Sequence, residues 1–474
     1  MERVTGMDAA FLDMETSTMH LHVVGVLVLD VGEIPPAEMA DRLRMVFAER
    51  LHLIPPFRWR AVGAPGGLDD PRWLEDPDFD LGRHLHRATL GPEAAASDLE
   101  RFVGEVSSRP LPRDRPLWES WLVDGFADGT MAVVTKVHHA IMDGAAGGDV
   151  MAALFDLEPE PGSAGDEPPV WKGEPMPSAA RLMAEAVPGA LSRTGRLPRV
   201  MARTVSGLVG SAHVMLRQPG AVAGFAPGTG FNGALTARRT VAFRRCALED
   251  LKLVRAAFGT TVNDVVLAAT SASLRSYLLD REVHLDRPLV ASVPVALARG
   301  ADDHGFGNRT SNMMVPLPVD VDDPVEALRS IHEWALGAKA VQQALGADLL
   351  EDLLSFVPGL LLSASAQAYS RLGLGRFHPP LFNAIVSNVP GPPIPLYLAG
   401  ARVTATYPMG PLIGNTGVNL TVLSQSGGLD IGVIACPDLV DDVEAIAEGF
   451  LAGVADLLEA AGSSARTREG ARTS

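Results

Sequence analysis

"MAVVTKVHHAIMDGAAGGDVMAALF", residues 131–155, changes its hydrophobic period halfway along. Val133, Val134, Thr135 and Val137 make residues 131–137 read as a strand rich in β-branched side chains. Side chains on a strand alternate between its two faces. Met131, Val133, Thr135, Val137 and His139 therefore share one face, and Ala132, Val134, Lys136 and His138 share the other. From about 144 to 157 the apolar spacing becomes helical, with Val150, Met151, Leu154 and Phe155 as the stripe. A strand that hands over to a helix through a short His- and Gly-bearing loop predicts an α/β or α+β architecture.

The alternation also bears on the two histidines. If the strand persists to its end, the imidazoles of His138 and His139 point apart, whereas two ligands of one ion must converge. Only a sharp kink would gather His138, His139 and Asp143 into a two-histidine, one-carboxylate cluster. No metal site is predicted there, nor at His20 and His22, which share a face but lack a visible third ligand. Asp143 before Gly144 also reads simply as a helix start, because an aspartate N-cap bonds the free N–H groups of the first turn. A histidine at a strand end is most often a satisfied, half-buried polar residue.

Working outward, residues 19–30 read as a buried strand and Asp41 to Leu51 as a helix with Leu43, Val46, Phe47 and Arg50 on one side. Further strands are predicted at 239–248, 288–297, 311–319 and 382–390. Residues 417–437 read as a hairpin with Ser-Gly-Gly at its bend. Helices are predicted from Thr261 to Leu279 and over 441–462. Residues 158–178 are rich in Pro, Gly and acid and read as a linker. The next stretch, 179–220, carries Arg181, Arg193, Arg196, Arg199, Arg203 and Arg217, with Glu185 as its acid. Such a segment reads first as a domain-crossing helix with solvated arginines, and alternatively as a basic amphipathic helix suited to an anionic lipid surface. The expected division is a first domain over 1–178, a connecting segment over 179–235, a second domain over 236–462 and a disordered tail from 463 to 474.

Length supports two domains, since 474 residues exceed a single core of about 100–200 residues. With 47% hydrophobic and 20% charged residues the chain is globular. A net charge of −17 speaks against a broad nucleic-acid footprint. The two cysteines, Cys246 and Cys436, fit no metal or redox spacing and are expected as reduced thiols. The N-terminus lacks the layout of a signal peptide, and no long uncharged run reads as a membrane span. An intracellular protein is expected.

The string HHxxxDG, His138 to Gly144, resembles the active-site signature of the CoA-dependent acyltransferase superfamily. Other blocks narrow the resemblance to the bacterial wax ester synthase/diacylglycerol acyltransferase family. "RPLWESWLVDG" (115–125) is similar to its PLW motif, with Pro116, Leu117 and Trp118. "TVNDVVLAATSASLRSYL" (261–278) is similar to its ND motif, with Asn263 and Asp264. "GNRTSNMMVPLP" (307–318), "NAIVSNVPGPPIPLYLAGARV" (383–403), "FDLGRHLHRATL" (79–90) and the opening "MDAAFLDMETSTMHLHVVG" resemble further blocks, in order from residue 7 to about 440. One departure is His22, where the family more often has a small residue.

The resemblance implies two chloramphenicol-acetyltransferase-like domains with an active-site channel at their interface. It implies acyl transfer from acyl-CoA to diacylglycerol or a long-chain alcohol, without a cofactor, at the inner membrane or a lipid droplet. His139 matches the superfamily's second histidine and is the expected general base, since a neutral imidazole can take the hydroxyl proton as the C–O bond forms. His138 is expected to orient the loop or touch substrate. Asp143 is expected to hold the histidine loop through an ion pair, with Arg309 as candidate partner, and Gly144 to allow close approach. Asp264 fits a capping box with Thr261 and needs no further role. The Asn263 amide could instead face the reacting centre. Leu117 and Trp118 suit the core or an acyl tunnel, and Asn388, Pro390 and Gly391 a tight turn beside the site. The apolar stretch 353–372 could line a tunnel, touch lipid or pack in a core. Two other readings stay open: a condensation-type or alcohol acyltransferase on a soluble or carrier-bound substrate, and a non-catalytic lipid-binding protein.

Overall fold

The computed structural model describes residues 1–4, 6–64, 67, 69–142, 146–160, 171–186, 225–296, 310–345 and 357–472. Its first half contains β1 (Glu2–Arg3), α1 (Gly6–Met14), β2 (His22–Asp30), α2 (Pro36–Arg50), β3 (Trp59–Val62) and β4 (Arg72–Glu75). These are followed by β5 (Leu85–Ala94), α3 (Ala96–Ser107), β6 (Trp118–Phe126), β7 (Met131–His138) and α4 (Ala146–Leu154). The second half contains β8 (Thr240–Ala247), α5 (Leu248–Phe258), α6 (Val262–Leu279), β9 (Leu289–Ala296), β10 (Thr310–Leu317) and α7 (Pro324–Leu345). It continues with α8 (Gly359–Arg371), β11 (Ala384–Pro390), β12 (Leu396–Leu398), β13 (Ala401–Met409), β14 (Val418–Gln425), β15 (Gly428–Ala435) and α9 (Val443–Arg472).

Two six-stranded sheets form the frame, in the orders β12-β13-β2-β7-β6-β5 and β10-β9-β11-β14-β15-β8. A smaller sheet, β1-β4-β3, flanks the first. The chain is thus mixed α/β, with one sheet and its helices in each half. The period-2 alternation of β7 sorts its side chains as the sequence requires. Met131, Val133 and Val137 join a core with Phe47, Phe57 and Trp118. Ala132 and Val134 face the other way, into a seam with Val241, Phe243 and Ile434 of the second half. A third core gathers α6, α9 and the inner face of the second sheet around Leu267, Val433 and Phe450.

The halves are interlocked. β13 leaves the second half and pairs antiparallel with β2, Val403 opposite Leu29 and Met409 opposite Val24. Its backbone then lies directly on β15. Thr406 donates its N–H to Asp430 Oδ2 at 2.8 Å, and the place of a Cβ on Gly432 is taken by the Pro408 carbonyl. Burial lifts the Asp430 carboxyl to about 6, against the pull of its Arg245 partner.

Several expected boundaries shift. Residues 396–409 belong to the first sheet although they fall inside the expected 236–462 domain, because backbone pairing with β2 satisfies them there. The second half starts before 236: Phe231 is fully buried in its core, and Asn232 bonds Asn383, Phe382 and Asn415. The expected linker is tied down where it is described, with Glu174 bonding Glu75 and the N-terminus, and Trp171 stacked under Arg58. α9 runs to Arg472, past the point where a disordered tail was expected. Of the basic segment only 179–186 is described; it is helical, and Arg181 pairs with Glu185 at 2.9 Å. Arg193, Arg196, Arg199, Arg203 and Arg217 lie outside the described residues.

Candidate active site

β7 is central in its sheet, so both sides of its backbone are paired up to its end. The His138 N–H donates to the Leu117 carbonyl at 2.9 Å, toward β6. The His139 N–H donates to the Leu21 carbonyl at 2.8 Å, toward β2. The strand ends there: the Ile141 N–H donates to the His138 carbonyl at 3.0 Å, so His139 stands in the turn that follows β7.

His138 is completely buried. Its Nδ1 accepts the Ala140 N–H at 3.1 Å, closing a tight turn just past the strand. An accepting Nδ1 leaves the ring hydrogen on Nε2 in the neutral imidazole. That atom faces Glu15 Oε1 at 3.7 Å, beyond hydrogen-bond reach. The Glu15 carboxylate is itself held by Arg113, which also donates to the Leu12 carbonyl at 3.2 Å. Burial, followed by the Arg113 charge, holds His138 well below the usual histidine range, so it stays uncharged. His139 differs: it is half-buried, and its ring packs on Phe11 of α1 with centroids 4.5 Å apart.

Around this pair the polar interior is dense. Lys136 is fully buried and gives its ammonium to the Val106 and Arg109 carbonyls at 3.0 and 2.9 Å and to the Glu119 carboxylate. Val106 lies in the last turn of α3, where exposed carbonyls favour a cation. Burial lowers the Lys136 pKa while Glu119 opposes it. His22 sits opposite His138 in the β2–β7 register, stacks on His20, and contacts the Ser107 carbonyl through Nε2 at 3.1 Å. The departure at His22 is thus absorbed by a buried, bonded ring.

The PLW residues brace the histidines from behind. Leu117 supplies the carbonyl for His138, and Pro116 closes a short turn by accepting the Trp118 N–H at 3.0 Å. Trp118 is buried, donates Nε1–H to the Phe57 carbonyl at 2.7 Å, and is stacked by Phe57 and His84. The ND residues stand in the second half, in the first turn of α6. Thr261 caps that helix by accepting the Asp264 N–H, and Asp264 Oδ2 returns the bond to the Thr261 N–H at 2.8 Å. Asp264 Oδ2 also lies 2.7 Å from His332 Nδ1 on α7. Asn263 is half-buried in the same turn. Asn388 is half-buried on β11, opposite Val422 of β14. Gly391 donates to the Ser424 carbonyl at 2.9 Å, and that oxygen occupies the place of a Cβ. Asp143, Gly144 and Arg309 lie outside the described residues.

Sequence reasoning did not single out Glu15, Arg113 or Phe11, which build the surroundings of the two histidines. Their signal was present: Phe11 and Glu15 fall in the opening block, and Arg113 stands three residues before Pro116. The seam between the halves opens as a cleft of about 610 Å³ between α3 and the start of α9, lined by Gly104, Ser108, Arg239 and Asp441 among others. His139 is not in its lining.

Comparisons with known proteins place this arrangement. Residues 4–266 match the model of the wax ester synthase/diacylglycerol acyltransferase catalytic domain, and residues 306–457 that of the C-terminal domain of the same family. A Mycobacterium tuberculosis protein, Rv1760, described as a candidate diacylglycerol O-acyltransferase, is 36% identical over 461 residues, which is 97% of this chain and 90% of that protein. The solved wax ester synthase/diacylglycerol acyltransferase from Marinobacter aquaeolei VT8 superposes with a TM-score of 0.69 at 26% identity, covering 98% of this chain and 100% of the other. The first condensation domain of the calcium-dependent antibiotic synthetase shares the fold, with a TM-score of 0.57 at 17% identity over 97% and 96% of the two chains. The chain belongs to the wax ester synthase/diacylglycerol acyltransferase family of acyltransferases.

Proposed function

We propose that this chain transfers a long-chain acyl group from acyl-CoA to the hydroxyl of diacylglycerol or of a long-chain alcohol, with His139 as general base. The observation that carries the choice of base is the contrast within the pair. His138 is wholly enclosed and its Nδ1 is committed to Ala140, whereas His139 is half-buried beyond the strand end. Nε2 or Nδ1 of His139 takes the hydroxyl proton as the alcohol oxygen bonds the thioester carbonyl carbon. The tetrahedral intermediate collapses by breaking the C–S bond, and the imidazolium returns the proton to the departing thiolate. No acyl-enzyme is involved. Cys436 is buried in the seam core, and burial raises the Cys246 thiol to about 11, so Cys246 offers no ready thiolate.

Donor and acceptor meet in a channel between the two halves, at an inner-membrane or lipid-droplet surface. Among the described residues no helix is long and apolar enough to cross a membrane. The test is incubation with labelled palmitoyl-CoA and either hexadecanol or diacylglycerol, followed by thin-layer chromatography. His139→Ala should lower ester formation by about 10²–10⁴-fold, the usual contribution of a positioned acid–base group, with an unchanged melting curve. Ester formation at the parent rate in that variant would remove His139 as the base.

A further inference from the structure

α8 and the loop after it carry apolar side chains that stand exposed among the described residues. The inner side of α8 lies on the stretch that holds Glu15. Gly359 abuts the Asp13 carboxylate, Gln367 donates to the Glu15 carbonyl at 3.3 Å, and Ser370 meets Thr18 at 2.6 Å between hydroxyl oxygens. The outer side runs through Leu361, Ala364, Ala368 and Leu372, spaced for one helical face and all exposed. Leu361 is 58% exposed, Leu372 64%, and Phe377 in the following loop 73%. Exposed Leu381 extends the patch, as does Phe225, whose neighbour Ala226 is bonded to the Pro380 carbonyl at 2.9 Å.

Single exposed apolar residues are ordinary, but a contiguous set is not. The charge around this one is also unusual. Residues 357–382 contain Arg371 and Arg376, both exposed, and not one of the chain's 57 acids. In a molecule of net charge −17 this is a local cationic rim around an apolar centre. Apolar side chains framed by arginine match the boundary between acyl chains and anionic headgroups, where the side chains enter the hydrocarbon and the guanidinium groups stay at phosphate level.

We propose that the outer face of α8 and the loop to Leu381 dock the protein on an anionic phospholipid surface. Docking there sets the residue 13–18 stretch, and through Glu15 the His138 side of the site, directly beneath the lipid. The proposal rests on the proposed function for the advantage of meeting lipid at that place, and not for its test, which reads binding without turnover.

Full-length protein is floated with phosphatidylcholine vesicles made with and without phosphatidylglycerol. The parent protein should float with both and more strongly with the anionic set. Leu361→Asp/Leu372→Asp/Phe377→Asp should reduce binding to both by roughly tenfold or more, since three apolar side chains are withdrawn. Arg371→Gln/Arg376→Gln should reduce binding to the anionic vesicles by roughly tenfold, and binding to neutral vesicles little. The milder Leu361→Ser/Phe377→Ser variant should show the same direction of loss with an unchanged melting temperature and with transfer to hexanol retained. Equal flotation of parent and variants would overturn the proposal. So would loss confined to variants that melt early, or a change in oligomeric state on substitution, which would give the patch to a second copy of the chain.

Discussion

The histidines behind the candidate base bear on stability as well as position. His20 and His84 are each held near 4, first of all by burial. His84 keeps its ring by donating Nδ1–H to the Trp118 carbonyl at 2.8 Å, while His20 stacks on His22. In the unfolded chain both titrate near 6.5. Between those values the unfolded state binds more protons than the folded one, so stability rises with pH across that window. The contribution of the neutral rings is fully present above about 6.5 and is lost as pH falls toward 4, on the order of 3 kcal/mol for each ring. His84→Gln should make the fall of melting temperature between these pH values shallower, as read by scanning fluorimetry in a pH series. A slope identical to the parent's would show that His84 is not one of the groups titrating. Much of this was hidden at the level of single residues. Strand alternation reaches only as far as His138, since His139 stands in the turn beyond β7, and the enclosure of His138 depends on Glu15 and Arg113, contributed by segments more than twenty residues away from either ring.

Individual elements were more legible. β7, β9 and β14 announce themselves as β-branched runs, and the Thr261–Asp264 spacing fixes the start of α6 before any tertiary contact is considered. β5 did not, because it is an edge strand paired only with β6 and carries polar residues along its half-exposed faces. The capping box also separates two explanations of the ND motif. Asp264 bonds the Thr261 N–H, which closes the cap of α6, and His332, which ties α6 to α7. Asp264→Ala should therefore lower stability by about 1–2 kcal/mol, the cost of losing an N-terminal cap, visible as a lower denaturant midpoint at unchanged slope. The folded fraction of the variant should turn over at close to the parent rate. A collapse of kcat without loss of stability would place Asp264 in the chemistry instead.

For the whole molecule, composition and the ordered motifs made two α/β halves readable, but not how they are joined. β13 lies within the second half of the sequence and pairs with β2, more than 370 residues earlier, and nothing local in residues 401–409 names that partner. The join depends on close approach of backbones where β13 crosses β15. There Asp430 takes the Thr406 N–H and Gly432 makes room for the Pro408 carbonyl. Any side chain at 432 must push β13 away from β15, and β13 cannot move without pulling on β2, the neighbour of the strand that ends at His138. Gly432→Val should accordingly cost more than a surface substitution, about 1–3 kcal/mol or above as in other overpacked interiors, and its effect should reach across both halves. In chemical denaturation the parent should unfold in one transition and the variant in two, with earlier proteolysis between β13 and β14. Acyl transfer should fall together with the first transition, because the strand that leads into His139 loses its outer support. A variant that unfolds as cooperatively as the parent, at the same midpoint, would mean that β13 is held by its pairing with β2 and β12 and that the crossing over β15 contributes nothing to the union of the two halves.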